Sequence, residues 1–192
     1  MHRQQQAALN LVITGMNLLQ QAKTELLRSN ADKKHPFRYC NLSTLAEYPE
    51  TRMVVIRKID QNLNVIIYTD SRTPKVQQLQ KNNKASLLFY HPKKRLQVRM
   101  KGKVRLIQEG HPAFEKHLSN IHNTPSLRDY TTLDPPGSLL KTESVVLGTV
   151  PYFTVIIFES LYLDILLLQR EGHIRSEYFL EENEWIERRL VP

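Results

Sequence analysis

A single cysteine, Cys40, a single tryptophan, Trp185, and only six glycines stand in a chain of 192 residues. One cysteine excludes an intrachain disulfide and fits a reducing compartment. No Gly-x-Gly-x-x-Gly dinucleotide fingerprint occurs, and Gly102-Lys103-Val104 lacks the rest of a P-loop. Apolar runs of membrane-spanning length are missing as well. The brief run from Leu9 to Ile13 behind Met1-His2-Arg3 does not read as a signal peptide, so a cytoplasmic protein without membrane association is expected. The most telling absence is local. From Ser71 to Gln108 there is no Asp or Glu, while eleven Lys or Arg fall there, more than the whole chain's net charge of +8.

What is present reads as one domain over residues 1–192, long enough to bury a core without metals or disulfides. Apolar and charged contents of 41% and 24% are ordinary for a globular chain. From Gln4 to Arg28, Ala8, Leu11, Val12, Leu18, Leu19, Ala22 and Leu26 recur at spacings of three, four and seven. That stripe predicts an N-terminal amphipathic helix within residues 1–30, weakened at Gly15. Residues 29–36 are a polar connection, and residues 37–192 carry strand texture. Met53 to Ile59 and Asn64 to Thr69 flank a turn at Asp60-Gln61-Asn62-Leu63. Ala85 to Tyr90 is a short strand. Arg95 to Ile107 alternates, with Leu96, Val98 and Met100 on one face and Gln97, Arg99 and Lys101 on the other. Gly102 marks a bulge or bend in it.

Thr73-Pro74 starts a helix that stops near Asn82-Asn83. A second helix is expected from His111 to about Ile121, then a long surface loop from Asn123 to Gly137. Phe153 to Glu159, Leu161 to Leu168 and the stretch around Glu184 to Arg188 complete the strands as closing elements. Many strands, few helices and no strand–helix repeat predict a mainly β (α+β) fold, a mostly antiparallel barrel with peripheral helices.

The helix opening at Thr73-Pro74-Lys75 directs unpaired N–H groups and a positive dipole end at whatever precedes it. Lys75 lies in that first turn, where a cation is unfavourable unless an anion is bound. Arg52 and Arg72, with the Thr69 hydroxyl, are placed to reach the same anion. A phosphorylated ligand is the reading this favours. His111, His117 and His122 are six and five apart, not the three or four that would align metal ligands on a helix, so they read as surface or loop histidines and no metal is expected. Cys40 reads as a buried or half-buried thiol beside a strand, and no Ser-His-Asp set or other catalytic residue is evident.

The ordered set Arg52-Met53-Val54-Val55-Ile56-Arg57, Tyr68-Thr69, Lys75, Ser86-Leu87-Leu88-Phe89 and Gln97-Val98 with Gly102-Lys103 resembles the pyridoxamine 5′-phosphate oxidase family of FMN-binding split barrels. Weaker similarity reaches His35-Pro36-Phe37-Arg38 and the closing Trp185 to Pro192. The resemblance implies a six-stranded antiparallel split barrel, a homodimer, and FMN at the subunit interface. Carried over by position, Arg52 and Lys75 would hold the FMN phosphate with Thr69, and Arg72 would stand in for an arginine that Pro74 replaces. Met53, Val54, Val55 and Tyr68 would line the ribityl chain and ring, and Gln97 would bond the ring edge. Arg57 matches a substrate-phosphate contact.

Departures concern the substrate side. Leu96 replaces the arginine of an Arg-Gln-Val triplet, and no Gln-Ser pair stands near Pro135 to Ser138. A late tryptophan falls near Leu168, an Arg-Leu-His motif on Ile174-Arg175-Ser176, and a flavin-contacting arginine on Tyr178. Arg175 is the candidate substrate residue from a shifted position. The resemblance therefore implies an FMN-dependent oxidoreductase acting on an unidentified small molecule, since the flavin itself carries the redox chemistry. The alternatives are a non-catalytic flavin-binding protein and, least favoured, a basic nucleic-acid-binding barrel using Lys93, Lys94, Arg95, Arg99, Lys101, Lys103 and Arg105.

Overall fold

The computed structural model describes residues 17–122, 124–141 and 143–192. Helix α1 spans Leu18–Arg28. The earlier part of the expected N-terminal helix, with Ala8, Leu11 and Val12, lies outside the described residues. A 3₁₀ turn at Pro36–Arg38 leads into β1, Tyr39–Leu45. Then come β2 (Pro49–Ile59), β3 (Val65–Asp70), α2 (Pro74–Lys81), β4 (Lys84–His91) and β5 (Leu96–Ile107). Helix α3 (Phe114–His122), a 3₁₀ segment at Pro125–Tyr130, and β6 (Phe153–Leu167), β7 (Ile174–Glu181) and β8 (Glu184–Leu190) follow.

The strand order is β3-β2-β1-β4-β5-β6-β7-β8, and β3 also pairs with β6. That second pairing closes six strands into an antiparallel barrel, with β7 and β8 outside the ring. The length of β6 makes this possible. Its first half, Phe153 to Phe158, pairs with β3, and its second half, Tyr162 to Leu167, pairs with β7, while β5 runs along both. The sequence reading split β6 in two and read both halves, with the stretch around Glu184, as closing strands. The structure corrects the split and the last of these: β6 is one strand that closes the ring against β3, and β8 lies outside the ring, paired with β7.

Local chemistry explains the turns. The Asp60 carboxylate accepts the backbone N–H groups of Asn62 and Asn64, at 2.9 and 2.8 Å, which folds the β2–β3 hairpin. Gly102 sits where the β5–β6 register slips, and a Cβ there would collide with the Glu159 carbonyl oxygen. Only glycine lets the two strands approach so closely at the bulge.

Two apolar cores result. The larger fills the barrel and is capped by α1 through Leu18, Ala22 and Leu26. The smaller lies on the outer face of β3 and β6 under α3, where Phe114, Tyr130 and Phe153 meet. Tyr130 shows that the expected surface loop from Asn123 to Gly137 is not loop throughout: its 3₁₀ segment buries this ring to 4% exposure. Cys40 is buried, as read from the sequence, and burial pushes its thiol pKa up, which leaves it unreactive. Among the described residues no helix is long and apolar enough to cross a membrane.

Candidate functional site

At one end of the barrel β1, β2, β3 and α2 bring together Thr44, Arg52, Thr69, Lys75 and Gln78. Helix α2 begins at Pro74 with Thr73 as its N-cap residue, but the Thr73 hydroxyl donates to the Asp70 carbonyl at 2.8 Å instead of capping the helix. Lys75 and Gln78, three apart, share one face of the helix. The Arg52 guanidinium donates to Thr44 Oγ1 at 2.5 Å and to Gln78 Oε1 at 3.2 Å. Lys75 Nζ donates to Thr69 Oγ1 at 3.0 Å. Burial, and then the positive charge of Arg52, hold the Lys75 pKa below its usual 10.5, with only Asp70 opposing. Burial likewise lowers that of Arg52 despite Glu50, whose carboxylate lies 3.6 Å away and half in solvent. Two half-buried cations lean on neutral hydroxyls and an amide, and the buried acid that acts on Lys75, Asp70, is taken by Arg72. That donor set fits a phosphate dianion.

Arg72 is engaged elsewhere. It binds Asp70 through Nε at 3.1 Å and a terminal nitrogen at 2.7 Å, donates to the carbonyls of Thr132 and Leu133, and lies 3.5 Å over the Tyr152 ring. The expectation that it reaches the same anion is corrected here. The buried Asp70 carboxylate is the stronger attractor, and Arg72 pins the segment after Tyr130 to the barrel.

The remaining candidates divide between two outer faces. Met53 is 68% exposed on β2, Val55 is half-buried on the same face, and Val54 points into the core. Tyr68 faces outward into the smaller core, where its hydroxyl meets His117 Nδ1 at 3.2 Å. His117 is therefore a half-buried packing residue, not the surface histidine its spacing suggested. Arg57 stacks over Tyr68 at 5.4 Å and donates to Tyr130 Oη at 3.2 Å, while its Nε is buried without a hydrogen-bond partner among the described residues. Sequence reasoning missed Tyr130, because nothing in a Pro- and Asp-rich loop marks a ring that tucks back under it.

Gln97 lies on β5, half-buried, and no hydrogen bond within the described residues engages its amide. Its cross-strand partner is Leu166, and the next partner along that row is Arg175. Alternation puts these three on one outer face. Arg175 donates to Asp164 through Nε at 3.0 Å and a terminal nitrogen at 2.8 Å, and Arg99 donates to the same carboxylate. Asp164 is buried. Burial alone would raise its pKa, but the hydrogen bonds and charges of the two arginines outweigh this and hold it below 3.8.

A further cluster escaped the sequence reading. Buried Glu25, His35 and His91 bring carboxylate and imidazole atoms within 4.8 Å of one another. Each imidazole Nδ1 accepts a backbone N–H, His35 from Phe37 and His91 from Lys94. Both Nε2 atoms then carry the proton and face Glu25 Oε2, at 3.1 and 3.6 Å. Imidazoles held as Nε2–H donors present no lone pair to a metal. Lys94 completes the charge balance from 2.5 Å. Its pairing, with that of Arg99 to Asp164 and Arg105 to Glu159, removes much of the free charge that a nucleic-acid surface would need.

Residues 18–108, just under half of the chain, match the family model described as pyridoxamine 5′-phosphate oxidase, FMN-binding domain. Curated relatives include the pyridoxine/pyridoxamine 5′-phosphate oxidases of Legionella pneumophila strains Lens and Paris, each 43% identical over 68 residues. That aligned stretch covers 34% of this chain and spans only 31% of each relative's length. Among solved structures, a pyridoxamine 5′-phosphate oxidase-related, FMN-binding protein from Nostoc punctiforme PCC 73102 superposes with a TM-score of 0.71 at 23% identity, covering 89% of this chain and 96% of that one. PhzG from Burkholderia lata 383, in complex with tetrahydrophenazine-1-carboxylic acid, gives 0.72 at 17% identity, covering 92% and 93%. At these identities the structures bear on the fold alone. The resemblance read from the sequence is borne out at the level of the fold: the chain has a pyridoxamine 5′-phosphate oxidase-like fold.

Proposed function

We propose that two copies of this chain bind FMN between them and that the protein is an FMN-dependent oxidoreductase. The observation that carries this is the pair Arg52 and Lys75, half-buried beside the start of α2 with hydroxyls for partners. Arg52, Lys75 and Thr69 would hold the flavin phosphate, with Met53, Val55, Tyr68 and the Val54 backbone along the chain toward the ring. Bound there, the flavin would supply hydride transfer at its ring.

The barrel's order argues for the second copy. In the closed ring β3-β2-β1-β4-β5-β6, strands β2 and β5 lie three places apart either way round, on opposite walls. Gln97 points outward from β5, away from Arg52 on β2. That separation favours a second copy, in which Gln97 would reach the ring held by its partner. Tyr39, Met53 and Tyr90, exposed on the outer faces of β1, β2 and β4, support such an apposition. Arg57, with a buried Nε free and Tyr130 beside it, would orient a substrate anion.

A non-catalytic flavin carrier is the second reading, and Tyr178 favours it. Where the resemblance calls for a flavin-contacting arginine, this ring is buried in the core and its hydroxyl donates to Glu187 Oε1 at 2.8 Å. Reduction of the FMN-loaded protein by a nicotinamide donor or a small substrate, followed at the flavin absorption band, separates the two readings. Turnover supports the oxidoreductase, and a retained but inert flavin supports the carrier.

A further inference from the structure

The outer face that carries Gln97 also carries an arrangement with its own chemistry. Arg99, Asp164 and Glu177 are cross-strand partners on β5, β6 and β7, one step along from the row Gln97, Leu166, Arg175. The Asp164 carboxylate is buried, yet both arginines that grip it keep 30 to 42% of their side chains exposed. Glu177 is occupied by the Tyr162 hydroxyl at 3.0 Å, and Lys101 lies 4.5 Å over the Tyr162 ring. Arg188 faces Glu177 from β8 and lies 4.9 Å over the Phe179 ring, so Arg99, Lys101, Arg175 and Arg188 against Asp164 and Glu177 leave two positive charges. The Arg99 Nε is buried with no hydrogen-bond partner among the described residues.

A carboxylate beneath two guanidiniums fixes both planes before any ligand arrives, and fixed planar N–H pairs match a second carboxylate better than a spherical anion. We propose that Arg99 and Arg175, held by Asp164, form the receptor for a carboxylate group on the small-molecule substrate. This rests on the flavin reading, because Gln97 is what puts the flavin ring beside this face. Asp164 is here a positioning residue, and it also sets which anion the pair prefers.

The test uses FMN-loaded full-length protein, with benzoate as probe, benzamide as its neutral isostere and inorganic phosphate as competitor. Binding is read from the flavin difference spectrum. Benzoate is expected to perturb the flavin at concentrations where benzamide and phosphate do not. Arg99→Gln and Arg175→Gln should each weaken benzoate on the order of tenfold or more, since each loses charge-assisted hydrogen bonds. Asp164→Asn, which raises the residual charge by one, should shift preference from benzoate toward phosphate, a change that loss of packing alone would not produce. Should Arg175→Gln fail to fold, Arg99→Gln reads the same quantity. A protein that keeps its flavin but binds benzoate equally in wild type and variants overturns the receptor and leaves the flavin reading intact. A protein that retains no FMN overturns that reading and the substrate role with it.

Discussion

Lys75 Nζ donates to Thr69 Oγ1 at 3.0 Å across the junction of β3 and α2, and among the described residues no carboxylate forms a salt bridge with it. A cation desolvated by its neighbours and repelled by Arg52 is a stability cost in the free protein. Such strain persists at sites kept for a ligand. Lys75→Met is therefore expected to raise the thermal stability of the flavin-free protein, by roughly 1 kcal/mol, while weakening FMN. Melting curves with and without FMN check both directions.

The Glu25–His35–His91 cluster predicts acid lability. Burial, the largest influence, holds the His91 pKa below 6.5, so the unfolded chain takes up this proton more readily than the native one. The stability it contributes is complete above pH 6.5 and is lost as pH falls toward the lower native value. Glu25 acts in the same direction further down. Burial raises its pKa, but hydrogen bonds from Lys94 and His35 outweigh this and hold it below 4.5, so its share is lost as pH drops beneath 4.5. Urea unfolding at pH 7.5, 6.0 and 5.0 should show falling stability, with a shallower fall in His91→Gln. Arg28 on α1 and Lys94 on the β4–β5 turn are, among the described residues, the other charges paired with Glu25.

Gly102→Ala should be severe for its size. The added Cβ meets the Glu159 backbone carbonyl and the Phe158 ring, at the place where β5 and β6 slip register. Backbone cannot give way as a flexible side chain would, and a loss of about 3 kcal/mol or failure to fold is expected. Denaturant unfolding measures it, and Gly110→Ala serves as a control, since no atom lies within 4 Å of the Cβ position there and only its positive φ is strained.

Arg72→Ala leaves the buried Asp70 carboxylate without its cation and unfastens the carbonyls of Thr132 and Leu133. A loss of about 3 kcal/mol is expected from the orphaned charge. Limited proteolysis should show new cleavage between residues 131 and 152, with the barrel strands still protected.

The elements that were legible in the sequence are those whose signal is local. The β2–β3 hairpin announces itself through Asp60 and Asn62, α2 through Thr73-Pro74, and β5 through strict alternation broken at Gly102. Arg52, Thr69 and Lys75 were legible as a set because each ends or begins such an element. What was hidden depends on distant pairing. The continuous apolar run of β6 does not say that one strand serves two partners. In β7, Arg175, Ser176 and Glu177 look like loop until Asp164 and the core behind Tyr178 explain the alternation. Arg72 looked free for a ligand because its true partners include backbone carbonyls some 60 residues on. Glu25, His35 and His91 share no motif, since only the docking of α1 on the barrel brings them together.

The central claim is tested most directly by the visible absorption spectrum of purified protein, incubated with FMN and desalted, for wild type and for Arg52→Ala/Lys75→Ala. The account predicts that wild type keeps a flavin spectrum. The double variant, with unchanged far-ultraviolet circular dichroism, should lose it through an affinity drop on the order of a hundredfold or more. A wild type that emerges colourless, or a double variant that holds FMN as tightly as wild type, would contradict it.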